Sequence, residues 1–284
     1  MKHADTALSA NAGSQSVGRA LQLLRLVACG QEAGVRLTDI VQMSGLNRPT
    51  VHRILKTLIA EGAVEQDPQT RRYRIGNEII LLGIARTRRF PLMAAAGTSL
   101  GQLAQRIGDT AFISVQHGQD SICIGRQTGH YPIQVLSIDV GARRPLGVGV
   151  SGVALLSCLP PAQAEEITWK NEKRLAFHGL TPEALCRRVD EARLVRYAYT
   201  ASGVVPGTRA VAVPVLNDAD EPIAALTISA MADRLTDTNL ASVVQIMRDQ
   251  ARSIGHHYSE MERLNRPLPA NQTAKFRHLQ GTPG

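Results

Sequence analysis

LTDIVQMSGLNRPTVHRILKTLIAEGAVEQDPQTRRYRIG, residues 37–76, decides how the chain is read. Within it Val51, Ile54, Leu55, Leu58 and Ile59 recur at the i, i+3, i+4, i+7, i+8 spacing of one helical face, which predicts a helix over Asn47–Gly62 with that face buried. Asn47 can cap this helix, Pro49 sits in its first turn where a missing N–H costs nothing, and Gly62 stands just past its end. At about 100° per residue, Arg53 and Lys56 point away from the apolar face, with Thr50 and Thr57 beside them. A helix packed inward and cationic outward suits the major groove of duplex DNA. The shorter run Thr38–Met43 predicts a first helix capped by Thr38 and stopped by Gly45. Ser44-Gly45-Leu46 then makes a tight turn, with Leu46 filling the corner between the two helices. After Gly62 the period changes to two: Val64-Glu65-Gln66, a turn Asp67-Pro68-Gln69-Thr70, then Arg71-Arg72-Tyr73-Arg74-Ile75. Together these predict a winged helix-turn-helix; the competing reading is a surface helix followed by a charged hairpin. The residues expected to face DNA are Thr38, Asn47, Arg48, Pro49, Thr50, His52, Arg53, Lys56, Thr57, Arg71, Arg72 and Arg74. Arg53 and Thr50 are expected at base edges, and Arg48, Lys56 and the wing arginines at phosphates.

The chain has 284 residues, more than one average domain, and 44% of them are hydrophobic, enough for packed cores. Its net charge of +8 is unevenly placed. Residues 1–89 hold 13 Lys+Arg against 7 Asp+Glu, and residues 90–284 hold 19 against 17. Clustered positive charge around a helix-turn-helix is the electrostatic footprint of a phosphate backbone. An acidic membrane surface calls for a basic amphipathic helix with aromatics, and single strands call for stacking platforms; 4% aromatic residues supply neither. Cys29, Cys123, Cys158 and Cys186 are scattered, with no CxxC and no His at ligand spacing, so neither a zinc site nor a disulfide framework is expected. The first residues lack a signal-peptide apolar core, and no run of about eighteen apolar residues occurs. The expectation is a cytoplasmic protein without cofactor or metal.

Five segments are expected: a disordered 1–15, the winged unit 16–76, a linker helix 77–90, a second domain 91–262 and a disordered tail 263–284. Ser16 can cap a helix to about Cys29 whose core face is Val17, Ala20, Leu21, Leu24, Val27 and Ala28. Leu23 and Leu26 fall outside that arc and predict a second apolar contact, with a partner subunit or with the linker of the same chain. The linker helix, Glu78 to about Arg89, is too apolar to stand free and should be buried against its own domain or its twin; Arg86, Arg88 and Arg89 at its end either lie near DNA or simply suit the helix C-terminus. Beyond Phe90-Pro91, helices are expected at Leu92–Ile107, Val153–Leu159, Pro161–Lys170, Pro182–Tyr197 and Thr236–Met261. Strands are expected at Ala111–His117, Ser121–Arg126, Ile133–Ile138, Ala210–Leu216 and Pro222–Ser229, the last two joined by the turn Asn217-Asp218-Ala219-Asp220. Hairpin-paired strands with helices to one side argue an α+β fold.

Gly147-Val148-Gly149-Val150-Ser151-Gly152 reads literally as G-x-G-x-x-G ahead of a helix, but Arg143-Arg144-Pro145 stands where a dinucleotide site needs a feeding parallel strand. The stretch also misses the G-x-S-x-G elbow by one residue, and no Asp/His pair can be placed with it. What remains is either a helix N-terminus ready for a carboxylate or a glycine turn made for packing. No catalytic residue is assigned.

Four stretches, SVGRALQLLRLV (16–27), LNRPTVHRILKTLIAEG (46–62), GARRPLGVGVSGVALLS (141–157) and PGTRAVAVPVLNDADEPIAALTISA (206–230), stand in the order found in IclR-type transcriptional regulators, which the chain resembles from about Ser16 to Met261. The resemblance implies a GAF-like effector domain, dimers through the DNA-binding half and tetramers through the other. It places an effector pocket at Ile133, Leu136, Val150, Ser151, Thr200, Thr208, Arg209, Ala210, Thr227 and Ser229. The chain departs from the family in having Pro145-Leu146-Gly147 for P-L-H, Gly152-Val153-Ala154 for G-K-A, and Val204-Val205 where a Glu is common. Arg209 shares a strand face with Val211, Val213 and Val215, where a charge is costly unless paired. With the pocket the resemblance implies, that predicts a small carboxylate effector, aromatic or short aliphatic, held by Arg209 and the helix near Ser151 and covered by Ile133, Leu136 and Val150. The alternative is that Arg209 reaches solvent and pairs with Asp218 or Asp220. The expected function is a transcriptional regulator of a catabolic operon that binds double-stranded operator DNA as a homodimer or homotetramer. A ligand-independent architectural DNA binder and an enzyme with a DNA-binding appendage are the alternatives.

Overall fold

A computed structural model describes residues 4–30, 33–84, 91–201 and 205–265. Its first unit is built from α1 (Ala4–Ala28), α2 (Leu37–Ser44), α3 (Arg48–Ala60) and a hairpin of β1 (Val64–Gln66) and β2 (Tyr73–Ile75). Leu23, Val27, Ile40, Val51 and Leu55 are fully buried between the three helices, and Val64 and Tyr73 close the core from the wing. The Asn47 side chain caps α3 by accepting from the Thr50 N–H at 2.9 Å, and Gly45 ends α2 in the left-handed conformation. Sequence periodicity gave no sign of a third strand-like segment: Val35 and Tyr73 exchange two backbone hydrogen bonds of 2.9 Å, tying the wing to the residues before α2.

Several expectations shift here. α1 begins at Ala4, ahead of the Ser16 cap. Its core face is Leu23 with Val27, flanked by Leu24 and Leu26, while Val17 and Leu21 are exposed. Apolar residues run almost all round this helix, so periodicity did not orient it. Arg36, not Thr38, occupies the α2 N-cap, and the end of the α3 face turns outward at Ile59. The apolar helix α4 (Asn77–Ile84) has no fully buried residue: Ile79 is half-buried and the Glu78 N–H donates to the Gly62 carbonyl at 3.2 Å, but most of its apolar side chains are left uncovered by its own domain. Ile80, Leu81, Leu82 and Ile84 are each at least 60% exposed. Arg86, Arg88 and Arg89 lie outside the described residues, as does the chain beyond Asn265.

The second unit is an α+β arrangement around a fully antiparallel six-stranded sheet. Its elements are α5 (Pro91–Ile107), β3 (Thr110–His117), β4 (Asp120–Gln127), β5 (Arg143–Pro145), α6 (Val150–Ser157), α7 (Pro161–Lys170), α8 (Glu172–Ala176), α9 (Pro182–Val195), β6 (Ala198–Thr200), β7 (Thr208–Leu216), β8 (Pro222–Met231) and α10 (Leu240–Asn265). The strand order is β5-β4-β3-β8-β7-β6. Helices cover both faces rather than one. Val211, Val213, Val215, Leu226 and Ile228 pack with α5 and α10, whereas Ala212 and Ala225 pack with α6 and α9. Strand alternation explains why one sequence run serves two cores.

Ile133–Ile138, expected as a strand, is a loop, and the neighbouring edge strand is Arg143–Pro145 instead. Side chains take the loop's backbone acceptors: Arg144 donates to the Ser137 carbonyl at 2.7 Å and Arg126 to the Ile138 carbonyl at 3.4 Å. Gln134 bridges Thr110 and the Gly108 carbonyl. Gly147 has φ 103°, and a Cβ there would overlap Leu185; one at Gly152 would strike the Gly147 backbone. The G-x-G-x-x-G stretch is therefore a packing turn into α6, following an antiparallel edge strand.

Candidate nucleic-acid interface and ligand cavity

On the winged unit, burying Val51 and Leu55 forces Arg48, Pro49, His52, Arg53, Lys56 and Thr57 outward, all exposed, with Thr50 half-exposed. The Thr57 hydroxyl donates to the Arg53 carbonyl at 3.2 Å, within its own helix. The N-terminal ends of α2 and α3 and the wing enclose an open cleft of about 640 Å³, lined among others by Arg36, Thr38, Arg48, His52 and Arg71. Arg36 was missed by periodicity because it precedes the helix that it starts. Three guanidinium groups beside two helix starts make this cleft receptive to phosphate.

The three wing arginines do different things. Arg71 is exposed at φ 57°. Arg72 turns back and donates to the Gly34 carbonyl at 3.0 Å and the Ala33 carbonyl at 3.4 Å, so it clasps the wing to the turn before α2. Arg74 pairs with Asp67 at 3.1 Å. The Asp67 carboxylate also accepts from the Thr70 and Gln69 N–H groups at 2.7 and 3.0 Å, and these bonds, Thr70 first, hold its pKa below the usual carboxylate value. Two of the three wing arginines expected at phosphates are thus engaged within the protein, Arg72 with the turn before α2 and Arg74 with Asp67.

In the second unit a cavity of about 50 Å³ opens between the sheet and the start of α6. Of the ten expected pocket residues, Val150, Ser151, Thr200, Thr208, Ala210, Thr227 and Ser229 line it, and Ile133, Leu136 and Arg209 do not. Phe112, Ser114, Ser137, Ile138, Arg144, Val148 and Gly149 complete the wall. Ile133 and Leu136 are 56% and 53% exposed, because the segment expected as a strand loops and presents Ser137 and Ile138 inward. Arg209 faces the other side of the sheet from its neighbours Thr208 and Ala210. It donates to the Leu235 carbonyl at 3.1 Å and pairs with Asp237 at 3.4 Å, rather than with Asp218 or Asp220.

The cation in the cavity wall is Arg144, on β5 beside the packing turn. It is half-buried, and burial pushes its pKa down. Desolvation, and then the charges of Arg144 and Arg174, lower the pKa of His178. Burial also holds the nearby Cys123 thiol up at about 11, so it stays neutral. The Thr227 hydroxyl is buried and has no hydrogen-bond partner among the described residues. Among those residues no cluster of His, Cys, Asp and Glu could hold a metal ion, and no helix is long and apolar enough to cross a membrane.

Two family models match the chain. The one described as the IclR helix-turn-helix domain matches residues 16–68, and the one described as the bacterial transcriptional regulator IclR C-terminal matches residues 84–256. The chain is 30% identical over 247 residues to the HTH-type transcriptional regulator XynR of Escherichia coli, covering 85% of this chain and 94% of that protein. Among solved structures, an IclR transcriptional regulator from Alicyclobacillus acidocaldarius aligns with TM-score 0.66 at 26% identity, covering 86% of this chain and 98% of that one. A putative IclR regulator from Silicibacter sp. TM1040 aligns with TM-score 0.70 at 22% identity, covering 90% and 98%.

Proposed function

The chain belongs to the IclR family of bacterial transcriptional regulators, and from that premise we propose that it binds operator DNA as a homodimer or homotetramer under the control of a small carboxylate. The family and the relatives are regulators, not enzymes, which sets aside an enzyme with a DNA-binding appendage. The observation that carries the DNA half of the reading is the outward face of α3, where Arg53 and Lys56 stand exposed beside the cleft formed with the wing. Arg53 and Thr50 read base edges; Arg36, Arg48, Lys56 and Arg71 hold phosphates. Two copies meet through the exposed apolar side chains of α4 and of α1 at Val17 and Leu21, since a stripe of this kind is costly to leave in water. The protein acts in the cytoplasm on a catabolic operon, and the cavity beside α6 receives the effector.

Selection from a random duplex pool tests this reading against the architectural alternative. A two-fold symmetric protein should enrich a pseudo-palindrome with half-sites about 34–36 Å apart, or a multiple of that. Arg53→Ala should then cost about 1–3 kcal/mol on the selected site and relax the preference at one position. A pool that stays unenriched, with salt-dependent binding to every sequence, would overturn specific recognition.

A further inference from the structure

The effector is bounded in size and chemistry by the cavity itself, an inference that rests on the reading of the second unit as effector-binding. We propose that the ligand is a short, oxygen-bearing aliphatic monocarboxylate whose carboxylate is held by Arg144, not by Arg209. Three independent observations converge on it.

The first is charge. Arg144 is a half-buried cation in the cavity wall, and no carboxylate pairs with it among the described residues; one guanidinium nitrogen donates to the Ser137 carbonyl, which carries no formal charge. A cation in that setting favours an anion from solution, and a guanidinium offers donors in a planar fork that fits a carboxylate. The start of the eight-residue helix α6, at Gly149, Val150 and Ser151, borders the same space and adds donors of the same sense. Arg209 is removed from contention by the alternation of its strand and by its own partners on the opposite face.

The second is the unsatisfied hydroxyl. Thr227 is only 6% exposed, lines the cavity, and its Oγ1 meets no partner among the described residues. No group among the described residues satisfies this hydroxyl, so it is a ready partner for a ligand oxygen that enters the cavity. Ser114, Thr208 and Ser229 keep the surrounding wall polar as well. A purely hydrocarbon ligand body would desolvate these groups for nothing.

The third is volume. About 50 Å³ corresponds to roughly three or four waters by the same measure, far below the several hundred Å³ usual for drug-sized ligands. So narrow a space favours a ligand of a few heavy atoms over an aromatic acid.

Lactate, glycolate and glycerate are the probes, with lactamide as a neutral counterpart and benzoate as an oversized acid, read by isothermal titration and by melting shift. At least one short acid should bind and raise the melting temperature, while lactamide and benzoate stay silent. Arg144→Met should weaken that acid by about 10- to 100-fold, the worth of a charge-assisted bond, and Arg209→Met should leave it unchanged. Because Arg144 also holds the Ser137 carbonyl, Arg144→Lys, which keeps a cation and a donor, should fold normally and recover part of the affinity. Thr227→Val should weaken the acid while leaving the melting temperature of the free protein nearly in place, a pairing that a merely structural threonine would not show. Tight binding of benzoate or lactamide, unchanged affinity in Arg144→Met, or silence of all three short acids would overturn the proposal. Duplex selection by the unliganded protein is scored separately. If DNA is selected and the acids fail, the ligand assignment falls and the regulator stands; an acid bound through Arg144 without DNA selection is the reverse.

Discussion

Replacing Arg71 and Arg72 one at a time separates a side chain proposed to hold phosphate from a structural clasp on adjacent residues. Arg71 is exposed on the cleft between the wing and the helix starts, whereas Arg72 spends its guanidinium on the Gly34 and Ala33 carbonyls. Removing one cation that neutralises a phosphate reduces the slope of log affinity against log salt by about 0.9. Between 50 and 200 mM salt, a fourfold change, that amounts to about a 3.5-fold difference in relative affinity. Arg71→Ala should therefore bind duplex DNA more weakly at 50 mM than the parent, with the deficit shrinking about 3.5-fold by 200 mM. Arg72→Ala should leave the slope unchanged. Its 3.0 Å bond is a charge-assisted one, half-exposed, and so contributes about 1 kcal/mol, which should appear as an earlier urea midpoint. Fluorescence anisotropy on one labelled duplex across a salt series reads the slopes, and urea melts read the stability. If Arg72→Ala flattened the slope as much as Arg71→Ala while leaving the urea midpoint in place, the assignment of the two side chains would be wrong.

Asn47→Ala removes the side-chain cap of α3 and should lower stability by about 1 kcal/mol, seen in the thermal midpoint, with weaker DNA binding because the start of α3 lies on the cleft. Leu81→Glu places a charge on the exposed face of α4 and should shift the sedimentation profile toward monomer without unfolding the chain. Leu23→Glu, in a fully buried position, should instead prevent folding, so an intact monomer from that variant would contradict the packing of α1. For the wing turn, the pKa of Asp67 is depressed in the folded state, so its contribution is present above the ordinary value of about 3.9 and is lost as pH falls through the lower folded value. Hydrogen exchange should show the Thr70 amide protected down to about pH 4 and opening only below it; Asp67→Asn should abolish that transition.

The family, the winged helix-turn-helix and the β7–β8 hairpin were legible without coordinates because each rests on local chemistry. A cap three residues from its donor, a glycine able to take positive φ at a helix end, and Asn-Asp-Ala-Asp between two apolar runs act within a few residues of one another. Seven of the ten pocket positions also lie on the cavity, since the resemblance transfers backbone position. Side-chain direction does not transfer so readily: Thr208, Arg209 and Ala210 are consecutive in a strand, and only the first and third can look the same way. Which face of that strand met the helices α5 and α10 and which met α6 was settled by long-range packing, and it moved the cation of the cavity from Arg209 to Arg144. The same holds for α1, whose apolar residues on nearly every side leave its rotation undetermined until α2 and α3 bury Leu23 and Val27. It holds too for residues 133–138, apolar enough for a strand but held as a loop by arginines from β4 and β5. What the sequence determined by itself was the set of local conformations and the kind of protein they make. What only the tertiary structure decided was which side chains share a cavity, because that depends on partners far apart along the chain whose packing no local pattern encodes.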